Sequence, residues 1–137
     1  MPTTTQFVIS EQSRPGVLAQ VAAVLGGAGV NIKAFLAPEV TAGKGKLRLI
    51  VADPDNGRTA LRKAKIKFRE ETALILSLEN KPGALKQVAD SLTKARINVK
   101  SGYCTPSREG KRAIVVLTVS NTSKALLVLR NQSLDEF

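Results

Sequence analysis

Leu18, Val21, Ala22 and Leu25 fall at i, i+3, i+4 and i+7, and Leu85, Val88, Ala89 and Leu92 repeat that spacing 67 positions later. Each set predicts an amphipathic helix with one apolar face. Before each helix stands an apolar run of strand length, "TQFVIS" and "ALILSL". After each comes an alternating segment, "VNIKAFLA" and "INVKSGYC". There Val30, Ile32, Ala34 and Leu36 are expected to share one side, as are Ile97, Val99, Ser101 and Tyr103. Turn-rich loops lead to third strands, "LRLIVAD" and "AIVVLTVS". Second helices follow, "NGRTALRKAK" and "TSKALLVLRN", with Asp55 and Asn121 as expected N-caps. "IKFREE" reads as a fourth strand, and "SLDEF" is the only segment left for its counterpart.

The order strand–helix–strand–strand–helix–strand, met twice, is the α+β, ferredoxin-like βαββαβ arrangement: antiparallel sheets with helices on one face. The expected domains are 1–71 and 72–137. Units of this size are marginal alone, and the junction near "REETA" is short, so the two are expected to pack together.

The repetition extends to residue identity. Residues 10–33 and 77–100 share 11 of 24 positions, where unrelated segments would share about one or two. The shared positions include Pro15/Pro82, Gly16/Gly83 and Asn31/Asn98. Ser13 and Asn80 are expected to cap the helices, with the prolines in the first turn. Unsatisfied N–H groups and the positive end of the dipole at such a start suit a carboxylate. Gly16 and Gly83 would let a ligand approach the backbone, and Asn31 and Asn98 offer a donor and an acceptor. These groups could together hold the carboxylate and ammonium of a free amino acid.

Composition narrows the chemistry. There is no histidine, so no imidazole base, Ser-His-Asp triad or histidine metal site. Cys104 is the single cysteine and reads as a small filler side chain in a strand, without a disulfide partner. Neither adjacent acidic pair, Glu70-Glu71 or Asp135-Glu136, forms an acid–base couple, because neighbours on a strand point to opposite faces. No enzyme, cofactor or metal is expected. No apolar run is long enough to span a bilayer and the N-terminus is not a secretion signal, so a cytoplasmic protein is expected.

The net charge of +10 divides equally, +5 in each half, with no basic tail. Nucleic acid is the weaker partner reading: "KLRLIVAD" and "RAIVVLTV" lack the aromatic residues on which RNA-recognition sheets stack bases. Lys33, Lys100, Arg48 and Arg14 remain as phosphate contacts.

"SRPGVLAQVAAVLGGAGVNI" and "NKPGALKQVADSLTKARINV" resemble the signature of ACT domains, the amino-acid-sensing modules of biosynthetic enzymes. The resemblance covers nearly the whole chain as two copies. It implies edge-to-edge pairing of two domains into an eight-stranded sheet, with a small ligand, usually an amino acid, bound where domains meet. It places Ser13, Arg14, Gly16, Val17, Leu18, Asn31 and Ile32 against ligand in the first copy. In the second it places Asn80, Lys81, Gly83, Ala84, Leu85, Asn98 and Val99. Ser13 departs from the usual Asp or Asn, and Arg96 from the usual glycine, present as Gly29 in the first copy. Arg pays a steric penalty in a left-handed helix exit, so the second helix is expected to end differently and to shift Asn98. The implied function is an amino-acid sensor that signals to a regulated enzyme or other protein, with a homodimer among the assemblies it allows. A ligand-free interaction or dimerisation module and a basic nucleic-acid-binding protein are the alternatives.

Overall fold

The computed structural model describes residues 3–11, 16–38, 45–107 and 109–132. In chain order the elements are β1 (Thr3–Glu11), α1 (Val17–Gly27), β2 (Ile32–Leu36), β3 (Gly45–Val51), α2 (Pro54–Lys63) and β4 (Arg69–Glu79). They continue with α3 (Ala84–Lys94), β5 (Val99–Pro106), β6 (Arg112–Val119) and α4 (Thr122–Val128). Contacts divide the chain into two compact units, one of Thr5–Glu71 and one running from Thr72 onwards with the first few residues.

In the first unit the strand order is β2-β3-β1, antiparallel throughout. Phe7 and Ile9 of β1 with Leu47, Leu49 and Val51 of β3 form one sheet face, which packs on Val21 and Leu25 of α1 and Leu61 of α2. Phe68 closes this core edge-to-face on Phe7, with ring centroids 5.3 Å apart. The second unit has the order β4-β6-β5, also antiparallel. Leu74, Leu76 and Leu78 with Val115, Leu117 and Val119 pack on Val88 and Leu92 of α3 and on Ala125 and Leu129. This is the ferredoxin-like arrangement, with period-2 and period-3.6 faces meeting in each core.

Several local expectations are corrected. "IKFREE" is not a separate strand: residues 66–68 lie outside any strand, and β4 runs unbroken from Arg69 to Glu79. Ile66 and Phe68 are instead drawn onto the first core. "SLDEF" lies outside the described residues. α2 is capped by Asp53, whose carboxylate accepts the Asn56 N–H at 3.1 Å, and not by Asp55; Pro54 opens the helix immediately after the cap. Asn121 caps α4 as expected, accepting the Lys124 N–H at 3.0 Å.

The alternation expected along β2 and β5 is also broken. Ile32 pairs with Val51 but Ala34 with Ile50, and Val99 pairs with Val119 but Ser101 with Thr118. One extra residue, Lys33 or Lys100, forms a bulge at the same place in each unit. Directly opposed residues share a sheet face, so Ile32 and Val99 lie on the helix side while Ala34, Leu36, Ser101 and Tyr103 lie on the other. Cys104 is exposed rather than a core filler.

Candidate functional site

Both helices that follow a Pro-Gly pair start later than the sequence predicts. α1 and α3 take their N-caps at Gly16 (φ 95°) and Gly83 (φ 87°), both left-handed, with no capping side chain among the described residues. Pro82 therefore precedes the α3 cap instead of sitting in its first turn; Ser13, Arg14 and Pro15 lie outside the described residues. The left-handed backbone is what requires glycine. A Cβ at either position would meet nothing within 4 Å among the described residues, so it is the backbone conformation and not crowding that selects glycine. α2 and α4, by contrast, satisfy their first N–H groups with Asp53 and Asn121.

Asn80 is not a helix cap. Its backbone N–H donates to the Lys111 carbonyl at 3.0 Å and its Nδ2 to the Gly110 carbonyl at 2.8 Å, tying the α3 corner to the β5–β6 turn. Nothing in the sequence pattern around Asn80 announces that partner, which is 30 residues away. Lys81 pairs with Glu79 at 2.6 Å, and this exposed contact lowers the Glu79 pKa. Leu18 and Leu85, expected on the buried helix faces, are 36% and 57% exposed. Burial belongs to Val21 with Leu25 and to Val88 with Leu92, because Leu18 and Leu85 sit in the first turn. Val17 and Ala84 are half-buried beside them.

The helix ends match closely. Val30 N–H donates to the Leu25 carbonyl and Ile97 N–H to the Leu92 carbonyl, both at 2.9 Å. Gly29 has φ 72° and Arg96 φ 57°, so Arg96 adopts the left-handed exit and does not end its helix differently. Asn98 is not displaced: its carbonyl accepts the Ser120 N–H at 2.9 Å, as the Asn31 carbonyl accepts the Ala52 N–H at 2.9 Å. A left-handed Arg costs about 1–2 kcal/mol, whereas burying an Ile gains about 1.5–3 kcal/mol. Ile97, 5% exposed, thus outweighs its neighbour's strain. The second unit adds a contact that sequence reasoning missed, Asn98 N–H to Ser120 Oγ at 3.0 Å.

The two kinds of candidate residue do not meet within a unit. Gly16 follows the sheet end where Glu11 pairs with Gly45, whereas Asn31 bonds beside Val51 at the other end. Gly83 and Asn98 are separated in the same way, by the length of α3. An 11-residue helix is about 16 Å long, more than an amino-acid backbone can bridge. Each unit therefore divides the candidate residues into two groups: Gly16, Val17 and Leu18 (or Asn80, Lys81, Gly83, Ala84 and Leu85) at one end, and Asn31 with Ile32 (or Asn98 with Val99) at the other.

Arg48, a candidate phosphate contact, is committed elsewhere. Its Nε donates to Glu71 Oε1 at 2.9 Å, and the fully buried Gln6 donates to the same oxygen at 2.8 Å. Arg69 reaches the other carboxylate oxygen at 3.2 Å. Burial alone would push the Glu71 pKa up; the hydrogen bonds from Arg48 and Gln6 and the two Arg charges more than reverse it, leaving it below the ordinary value. Among the described residues there is no cluster of side chains suited to a metal ion, and no helix is long and apolar enough to cross a membrane.

Residues 74–132, within the second unit, match the family described as AHAS small subunit-like ACT domain. Among solved structures it is similar to protein BT0572 from Bacteroides thetaiotaomicron, at 29% identity and a TM-score of 0.86 over 95% of this chain and 88% of that one. It is also similar to the ligand-free regulatory subunit of aspartate kinase from Thermus thermophilus, at 14% identity and a TM-score of 0.65 over 96% and 92%. The corresponding regulatory subunit from Thermus flavus gives 14%, 0.62, 96% and 92%. At such identities the aspartate kinase subunits share the fold. No curated protein matches the sequence.

Proposed function

We propose that this protein is a cytoplasmic amino-acid sensor built from two ACT domains, 1–71 and 72–137, which reports ligand occupancy to a regulated enzyme or other protein. One observation carries the reading. Among the described residues no side chain caps α1 or α3, and a Cβ at Gly16 or Gly83 would meet nothing within 4 Å, while α2 and α4 use Asp53 and Asn121. Such a corner favours a carboxylate. Because the corner and the asparagine stand at opposite ends of a helix, a complete site needs the corner of one ACT domain against the Asn-Ile or Asn-Val end of another. Ser13, Arg14, Gly16, Val17 and Leu18 would then face Asn and its apolar neighbour across a domain pair. Asn80, Lys81, Gly83, Ala84 and Leu85 would do the same. The fold shared with regulatory subunits of aspartate kinase supports a regulatory output. Ligand shifts the equilibrium only by binding one arrangement better than another.

The test is a thermal-shift screen against the common amino acids, confirmed by calorimetry. A ligand at about 100 times its Kd adds roughly 2.7 kcal/mol of stability. Asn98→Ala should weaken that ligand without changing the melting temperature of the free protein. Silence across the panel would sink the sensor reading. It would favour an interaction module instead, for which the exposure of Leu85 (57%) and Val99 (50%) is the supporting observation.

A further inference from the structure

The end of α2 carries the densest run of positive charge in the chain, "RKAKIK", and the structure shows which of those charges are free. The nearby carboxylates are taken up by arginines. Arg58 binds both Asp55 and Glu70, and Glu71 is held by Arg48 and Arg69. Arg62 lies over the Phe68 ring, 5.8 Å from its centroid. Lys63, Lys65 and Lys67 are exposed, and none is paired with a carboxylate among the described residues.

Cations in the last turn of a helix compensate its dipole, and that accounts for Arg62 and Lys63. It does not account for Lys65, which sits past the helix at φ 59°, where glycine would be free of strain. The corresponding helix of the second unit, α4, has no such run: after Arg130 come Asn131 and Gln132, and its exposed side chains include Leu127 and Val128. The charge is therefore not a demand of the fold.

We infer that Lys63, Lys65 and Lys67, with Arg62, form a docking surface for an acidic segment of a partner protein. Charge complementarity identifies the occupant: free ammonium groups on flexible stems suit carboxylates and raise the association rate. Nucleic acid fits less well, because the aromatic ring at this surface, Phe68, is packed on Phe7 and covered by Arg62 and cannot stack on a base. None of these four residues is among the candidate ligand contacts, and the surface can be tested without any amino acid present.

A fluorescent poly-glutamate peptide, titrated into the full chain without amino acid and followed by anisotropy at low and physiological salt, tests it. The triple variant Lys63→Glu, Lys65→Glu, Lys67→Glu should lose at least about tenfold in affinity. A control of equal net charge, Lys46→Glu, Lys111→Glu, Lys124→Glu, should lose less than about threefold. Lys65→Gly keeps or raises the melting temperature yet weakens the peptide about twofold, an outcome that a purely structural role for Lys65 would not give. Equal losses in both triple variants, no binding at low salt, or tighter binding of a single-stranded oligonucleotide that depends on the same lysines would each overturn the assignment.

Discussion

The two units agree where the backbone does something unusual and differ where side chains meet the surroundings. Both cap their first helix with a left-handed glycine, leave it through a left-handed residue, and bulge two residues after the asparagine. Yet Gln6, Arg48 and Glu71 form a hydrogen-bonded cluster in the first unit, while Ala73 and Val116 occupy the places of Gln6 and Arg48 in the second. α2 is polar and basic; α4 shows Leu127 at 73% exposure. A βαββαβ unit is thus specified by a few backbone devices and an apolar pattern, leaving its surfaces available for separate tasks.

If the cores are energetically equivalent, Leu61→Ala and Leu129→Ala should cost alike. Each side chain is almost fully buried at the end of the second helix, so each substitution should remove about 3 kcal/mol in urea unfolding. Values more than about 1.5 kcal/mol apart would break the equivalence.

Glu71→Ala strips the acceptor from buried Gln6 and from Arg48 and should cost about 2 kcal/mol. Ala73 and Val116 have no such dependence. The Glu71 pKa is lowered on folding, so its stabilisation is fully present above the ordinary carboxylate value and is lost as pH falls through the depressed one. Hydrogen exchange on moving from neutral to acidic pH should therefore open the first unit before the second. Glu71→Gln should flatten that difference, and an unchanged acid profile would count against the cluster's role.

The helix exits sharpen the comparison further. Arg96→Gly should stabilise by about 0.5–1 kcal/mol and Gly29→Arg should destabilise by about 1 kcal/mol, read as melting shifts of opposite sign. Smallest is Ser120→Ala, which removes the acceptor of the Asn98 N–H and leaves the second unit like the first, where Ala52 stands; about 0.5 kcal/mol is expected.

The helices and most strands were legible because apolar spacing alone distinguishes period 3.6 from period 2. The caps were less so. Ser or Asn before Pro looks like a capping residue, and only the backbone reveals that the glycine after it turns left-handed and takes the role. Asp53 and Asp55 flank Pro54, and the preference of proline for the first helical position would have selected Asp53. The strain at Arg96 was legible, but the burial of Ile97 that offsets it is a tertiary quantity. The candidate residues could be enumerated from the sequence; their division between opposite ends of a helix required the sheet register.

The bulges at Lys33 and Lys100 have a consequence for insertions and deletions. Deleting either lysine would straighten an edge strand and turn the residues after it over. Phe35, on the helix side opposite Leu49, would exchange sides with Leu36, which lies opposite Arg48. At that point it is the count of residues, and not the chemistry of the one counted, that keeps the strand right side out.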